Sequence, residues 1–441
     1  MRAAPGGGTG RRTSRVGKVP VNDFEIPYLE VGRRAVLRFV AKALPSVGFV
    51  GMMVSARREK GPGLHMSTPA GALVSREAQS WAVRGYATAV TALRDPHLVV
   101  ARPGQSEQDG RHGDQPPTAR SGPSTNDGAP SVPEFFQSWF TVGSAHGAVK
   151  GVLARPFAAR QIERFATVVA ELARLRVDRL PDDGDLVGDC LVPFSVDCAA
   201  ALTGIPAGEA NRLMAVTRLM TAAFHGVARG ADEPLRQCVR YLRAVTGHLL
   251  TADEGTPLAG ALREVAAELG EWTATAVLAQ LLTAGVEPTV TGAALTCREL
   301  ARDPGLPERA PLERIADEAL RRTPPFPRVH RTTAARCGCL GVRIEAGERV
   351  VVDIEAANHD PAVFGDGRFD PSRTAQPLTF GLGAYHCLGA AFARMQISAV
   401  VAALARPEAR VAPADLILRR TAHTVVATAM PFRRTAGAAR G

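Results

Sequence analysis

Between residues 145 and 301 apolar positions recur at intervals of three and four, the period of helices that pack one face on a core. The segments ERFATVVAELARL (163–175) and EWTATAVLAQLLTAGVEPTVTGAALTCRELARDP (271–304) carry the pattern most clearly. Upstream, WAVRGYATAVTALRDPHLVV (81–100) predicts a strand and then a helix stopped at Asp95-Pro96. Short alternating runs around turn residues, such as LGVRIEAGERVVVDI (340–354), predict strands between 331 and 354. A Pro/Gly-rich meander from Asp360 to Phe380 then leads into a helix beginning near Leu388. The pattern as a whole predicts a mainly α protein with small β-sheets.

Two stretches break the periodicity. Residues 101–133 are rich in Gly, Pro, Ser and Asp, as expected of a flexible loop on the substrate side. The first 20 residues, rich in Arg, Gly and Ser, read as disordered. Residues 36–54 are largely apolar but interrupted by Arg38, Lys42 and Pro45, and the uncharged part falls short of the roughly 20 residues a membrane span needs. A buried or interfacial helix is the expectation there. The chain thus divides into a basic N-terminal extension, 1–68, and a catalytic domain, 69–441.

Composition narrows the function classes. The formal charge is +10, yet only four residues are lysine, and the arginines are spread along the chain. With 5% aromatic residues, the clustered basic and aromatic surface of a nucleic-acid binder is missing. A basic face that receives an acidic protein partner fits better. The seven cysteines lack regular spacing, as in a reduced, cytoplasmic protein. Cys337 and Cys339 read as alternate positions on a short strand, because two ligands without a second pair do not make a zinc site.

The chemistry concentrates at FGLGAYHCLG (380–389). Here Cys387 sits on a glycine-rich turn immediately before a helix. A helix N-terminus favours the thiolate, and backbone N–H groups around Gly389 can donate to the sulfur. Gly381 and Gly383 let the backbone approach a flat ligand, and Phe380 can shield the sulfur from water. These are the requirements of an axial thiolate ligand to haem iron.

In these residues the chain resembles the cytochrome P450 superfamily, the haem-thiolate monooxygenases, in its soluble bacterial class. Phe380, Gly383, Cys387 and Gly389 match the family's cysteine loop, and Glu318 and Arg321 match its Glu-x-x-Arg pair. The resemblance gives Arg368 as the third member of that charged triad. It implies a fold with haem b between a distal oxygen-binding helix and the proximal cysteine-loop helix. Cys387 is then the metal ligand, with His146, Lys150, Arg331 and Tyr385 around the propionates. AGVEPT (284–289) matches the distal motif, where Ala284 and Gly285 give the small surface over the iron. The usual acid–hydroxyl pair is replaced by Glu287-Pro288, with Thr289 following. Proline has no N–H, so the carbonyl of Ala284 is freed and a kink is expected, without the usual relay hydroxyl.

The implied function is O₂-dependent oxidation of a small-molecule, peptide or carrier-bound natural-product intermediate. Electrons would come from an acidic ferredoxin and an NAD(P)H-dependent reductase, and Glu287 with Thr289 and Pro288 would form the distal catalytic group. Two other readings stand beside it: a peroxide-driven peroxygenase, and a catalytically inert relative that acts as a recruiting platform.

Overall fold

A computed structural model describes residues 74–100 and 146–435, apart from 78–79, 225–231, 253–254, 410 and 422, together with Phe135. The expectations for the N-terminal extension, the apolar stretch 36–54 and the loop 101–133 lie outside the described residues.

The described chain is mainly helical. Strands β1 (Val74–Glu77) and β2 (Ser80–Val83) precede helix α1 (Tyr86–Arg94) and strand β3 (Leu98–Val100). Helices α2 (His146–Ala154), α3 (Ala159–Glu163) and α4 (Ala166–Asp178) follow, then the short strand β4 (Asp183–Asp185). Next come α5 (Val192–Thr203), α6 (Ala210–Phe224), α7 (Asp232–Thr251), α8 (Pro257–Leu269) and the long α9 (Glu271–Arg302). After α10 (Leu306–Arg309) and α11 (Leu312–Arg322), strands β5 (Arg328–Thr333) and β6 (Arg349–Asp353) pair antiparallel. The meander carries α12 (Ile354–Asn358) and α13 (Pro361–Phe364) and leads to α14 (Ala390–Leu404), two residues later than the pattern suggested. Strands β7 (Val411–Pro413), β8 (Ile417–Arg420), β9 (Val425–Ala429) and β10 (Pro431–Arg434) close the fold.

The main sheet has the order β1-β2-β6-β5-β3, in which β2–β6 is the parallel pair. Two smaller sheets, β4-β10-β7 and β8-β9, complete the set. Helix α9 runs through the core. Its early part from Ala274 to Ala279 is buried on every side, as expected of a helix with no exposed face there. It packs against α5, α7, α8, α11, α14 and β9. At Gly292 an added Cβ would come within 2.7 Å of Ile397 Cδ1 and 3.2 Å of Leu320 Cδ2. The absent side chain therefore lets α9, α11 and α14 converge, and this fixes the distal helix relative to the helix that follows Cys387. Among the described residues no helix is long and apolar enough to cross a membrane.

Candidate functional site

The loop before α14 is held at both of its ends. Cys387 N donates to Phe380 O at 2.8 Å, which closes the turn on itself. Gly383 adopts φ +67°, and a Cβ there would meet Leu93 O at 2.7 Å and Arg94 Cα at 3.2 Å. Only glycine supplies both that conformation and that approach to the end of α1. Lys150, on α2, donates to Ala384 O at 2.5 Å and to His386 O at 2.9 Å. On the far side Arg394 stacks its guanidinium over the Phe380 ring, 4.4 Å from the centroid, and pairs with Asp317 at 2.7 Å.

Cys387 is exposed, yet it lies deep enough for burial to push its thiol up. Exposure and depth together describe the wall of a concave recess. The Gly389 N–H, Lys150 and Arg394 pull the other way without prevailing. The Gly389 N–H at the helix start acts in the direction expected from sequence, but burial outweighs it. Coordination to a metal deprotonates a thiol outright, so the ionised form is one a bound metal would provide.

Beside the loop, Tyr385 joins a buried cationic group and a half-buried basic one. The Arg331 guanidinium lies 4.7 Å from the Tyr385 ring centroid, and the His146 ring lies 4.7 Å from it on tilted planes. Arg331 is 6% exposed, and its Nη1 donates to its neighbour's carbonyl, His330 O, at 2.9 Å. Among the described residues, Arg331 Nε and His146 Nε2 are buried without a hydrogen-bond partner. Burial lowers the pKa of both side chains. A buried guanidinium with no paired carboxylate is costly unless an anion completes it. The donor set therefore fits haem: a thiol for the iron, and Arg331, His146 and the Tyr385 hydroxyl for the propionates. Lys150 would add only what its two carbonyl bonds leave free, one N–H of three.

The distal residues lie on α9, which runs unbroken through Pro288. Ala284 and Gly285 are exposed, Glu287 and Pro288 half-buried, and Thr289 buried. Thr289 Oγ1 donates to Gly285 O at 2.7 Å, so its hydroxyl is turned back on the carbonyl next to the one that Pro288 leaves without its helical donor. Burial raises the Glu287 carboxyl above the usual carboxylate range, against the opposing pull of Arg419 and Arg218. Those two arginines, from β8 and α6, were not legible as site residues, because only the fold brings them to Glu287.

The charged triad needs a correction. Glu318 and Arg321 form a buried bidentate pair, with Nε–Oε2 and Nη2–Oε1 both 2.7 Å. Arg321 also donates to Asn358 O at 2.5 Å and stacks 4.8 Å from the Phe364 ring centroid. The third member is Arg373, whose Nε lies 3.7 Å from Glu318 Oε1, and not Arg368. The Arg368 side chain is 84% exposed and pairs with Asp366. The reason is local: Asp370 N donates to Glu318 at 3.1 Å, which anchors the chain there. Pro371 then turns it, so that the residue three beyond Asp370 reaches the acid.

Comparison with known proteins decides the family. A family profile described as Cytochrome P450 matches residues 306–406, which hold the triad helix, the meander and the cysteine loop. Luteothin monooxygenase of Streptomyces thioluteus is 30% identical over 62% of this chain and 70% of its own. The chain belongs to the cytochrome P450 family. Mycinamicin IV hydroxylase/epoxidase of Micromonospora griseorubida is 31% identical to this P450 over 59% of the chain and 69% of its own length. Protein AknT of Streptomyces galilaeus is 30% identical, and there the match spans 63% of the relative's length. Among solved structures, a mutant of P450 EryK in complex with erythromycin B superposes with a TM-score of 0.65 at 23% identity, covering 89% of this chain and 97% of that one. The mainly α fold with small sheets is therefore that of a P450.

Proposed function

We propose that this P450 is an O₂-dependent monooxygenase that tailors a natural-product intermediate, fed by a ferredoxin and its reductase. The observation that carries the reading is the pairing of an accessible Cys387 with Arg331 Nε and His146 Nε2, buried atoms without a hydrogen-bond partner among the described residues. The first suits a metal, and the others suit an anion. Haem b answers both, and supplies the one-electron and dioxygen chemistry that protein side chains lack. Relatives named mycinamicin IV hydroxylase/epoxidase and erythromycin C-12 hydroxylase support the substrate class.

Each residue then has a task. Cys387 would hold the iron, and the Gly389 N–H, donating to the sulfur, would tune how strongly it gives electrons. Arg331, His146 and Tyr385 hold the propionate edge. Ala284 and Gly285, without bulky side chains, let the flat ligand and the substrate approach α9. Glu287 stays protonated to higher pH than an ordinary glutamate, so it can hold and deliver a proton where water alone would otherwise act. Pro288 leaves the Ala284 carbonyl free to bind water, while Thr289 is tied to Gly285 O and is the weaker donor candidate.

The test is a carbon-monoxide difference spectrum of the reduced protein, followed by turnover of macrolide and polyketide intermediates with ferredoxin, reductase and NADPH. The long-wavelength Soret band of a haem-thiolate centre and NADPH-dependent oxygen insertion are the expected results. Product formed equally well from peroxide without the reductase would favour the peroxygenase reading. A protein that takes up no haem would be the inert recruiting relative.

A further inference from the structure

The sequence offered Cys337 and Cys339 as two sulfurs of a strand, too few for a metal. The fold adds a third group. Asp95, far away in sequence, places a carboxylate oxygen so that it and the two sulfurs all lie within 4.8 Å of one another. The sulfurs are 3.4 Å apart. Cys337 is held in place by a two-way backbone bridge to Ile344, at 3.0 Å in each direction. We propose that Asp95, Cys337 and Cys339 form a binding site for a thiophilic divalent cation of the zinc class.

The geometry suits that ion. Zinc–sulfur bonds of about 2.3 Å in a tetrahedron set two thiolates about 3.8 Å apart, so this pair has to open by only about 0.4 Å. Two sulfurs and one carboxylate give a soft-leaning set that a hard cation such as Mg²⁺ would not select. Neighbouring groups orient the carboxylate, as hydrogen bonds behind a metal ligand do: His97 N donates to Asp95 Oδ1 at 2.7 Å, and His97 Nδ1 lies 3.1 Å from the same oxygen. The Asp95 side chain is 8% exposed, whereas the His97 ring is 52% exposed. The acid is therefore fixed.

A second observation points to a cation independently. Asp95 is the residue that ends α1, and a helix C-terminus carries partial negative charge. A carboxylate there adds to the helix's own field, an arrangement that a bound cation relieves. The site's place in the fold gives it a consequence. Leu93 and Arg94, which receive Gly383 of the cysteine loop, immediately precede Asp95. Cys337 and Cys339 follow β5, the strand that carries Arg331. Ala334 N donates to His97 O at 2.7 Å across the same junction. The ion would clip the end of α1 to the β5–β6 connection, behind the propionate edge of the haem site.

The experiment uses the haem-loaded protein, reduced and stripped with a chelator, then titrated with Zn²⁺ against a chromogenic competitor. In that form Cys387 is engaged by iron and does not compete. Wild type should take up one equivalent per chain and melt at a higher temperature with zinc bound. Cys339→Ser and Asp95→Asn should each weaken uptake by tenfold or more and abolish the zinc-dependent melting shift, with the Soret spectrum unchanged. His97→Ala should weaken it by about 10- to 100-fold. Uptake equally tight in wild type, Cys339→Ser and Asp95→Asn would overturn the proposal, as would no uptake by wild type. A Cys337–Cys339 disulfide that forms at the same rate with and without zinc would also overturn it, since a bound ion must protect both thiols.

Discussion

At the residue scale, Cys387 and Glu287 carry the sharpest expectations. Cys387→Ser should remove the haem-thiolate difference band and NADPH-dependent product, while far-ultraviolet circular dichroism stays helical, because the core around α9 takes in Phe380 and Leu388 of the loop but not the Cys387 side chain. Activity surviving that change would refute the thiolate role. Glu287→Gln should slow turnover by about 10²–10⁴-fold, the usual value of a positioned proton donor, with substrate affinity little altered. The pH dependence has a definite sign. A carboxyl whose folded pKa is raised is protonated, and contributes its share of stability, below its ordinary pKa, and loses both as pH rises through the raised value. Turnover should therefore fall on the alkaline side, and that limb should vanish in a pH–rate profile of Glu287→Gln.

At the scale of elements, α11 and the meander act as one unit through Glu318, Arg321 and Arg373. Glu318→Gln leaves the Arg321 guanidinium, which is fully buried, without its acid, and should cost about 3–5 kcal/mol in chemical denaturation. Arg373→Ala should cost about 1–3 kcal/mol, while Arg368→Ala, at an exposed position, should stay within about 0.5 kcal/mol. The reverse order for the two arginines would restore the assignment read from sequence. In α9, Pro288→Thr should be tolerated, since threonine costs far less than proline inside a helix. Product formed per electron consumed should rise or hold as the added hydroxyl joins Glu287. A collapse of product in Pro288→Thr would show that the proline itself shapes the proton route.

At the scale of the whole molecule, the net charge of +10 and the cations ringing the cysteine loop, Lys150 and Arg394 among them, favour an acidic electron donor. Surface plasmon resonance against an acidic ferredoxin should show affinity falling as salt rises from low to physiological ionic strength, since exposed charges are screened within about 8 Å there. An affinity indifferent to salt would refute docking by charge.

What the sequence determined by itself was whatever depends on neighbours along the chain. The helical period of 145–301 settled the fold class, because burial of one face repeats every three or four residues. The cysteine loop was legible because glycines, sulfur and helix start act within ten residues of each other. Glu318 and Arg321 were legible because one helical turn joins them. Tertiary structure alone decided what depends on residues far apart in sequence. Arg373 displaced Arg368 because an anchored turn, invisible in the pattern, aims its side chain at Glu318. Arg218 and Arg419 met Glu287, and Asp95 met two cysteines some 240 residues away, only once packing had closed those distances. That Arg331 Nε is buried without a hydrogen-bond partner among the described residues also belongs to the fold: a sequence records that a guanidinium exists, and burial decides whether it needs an anion.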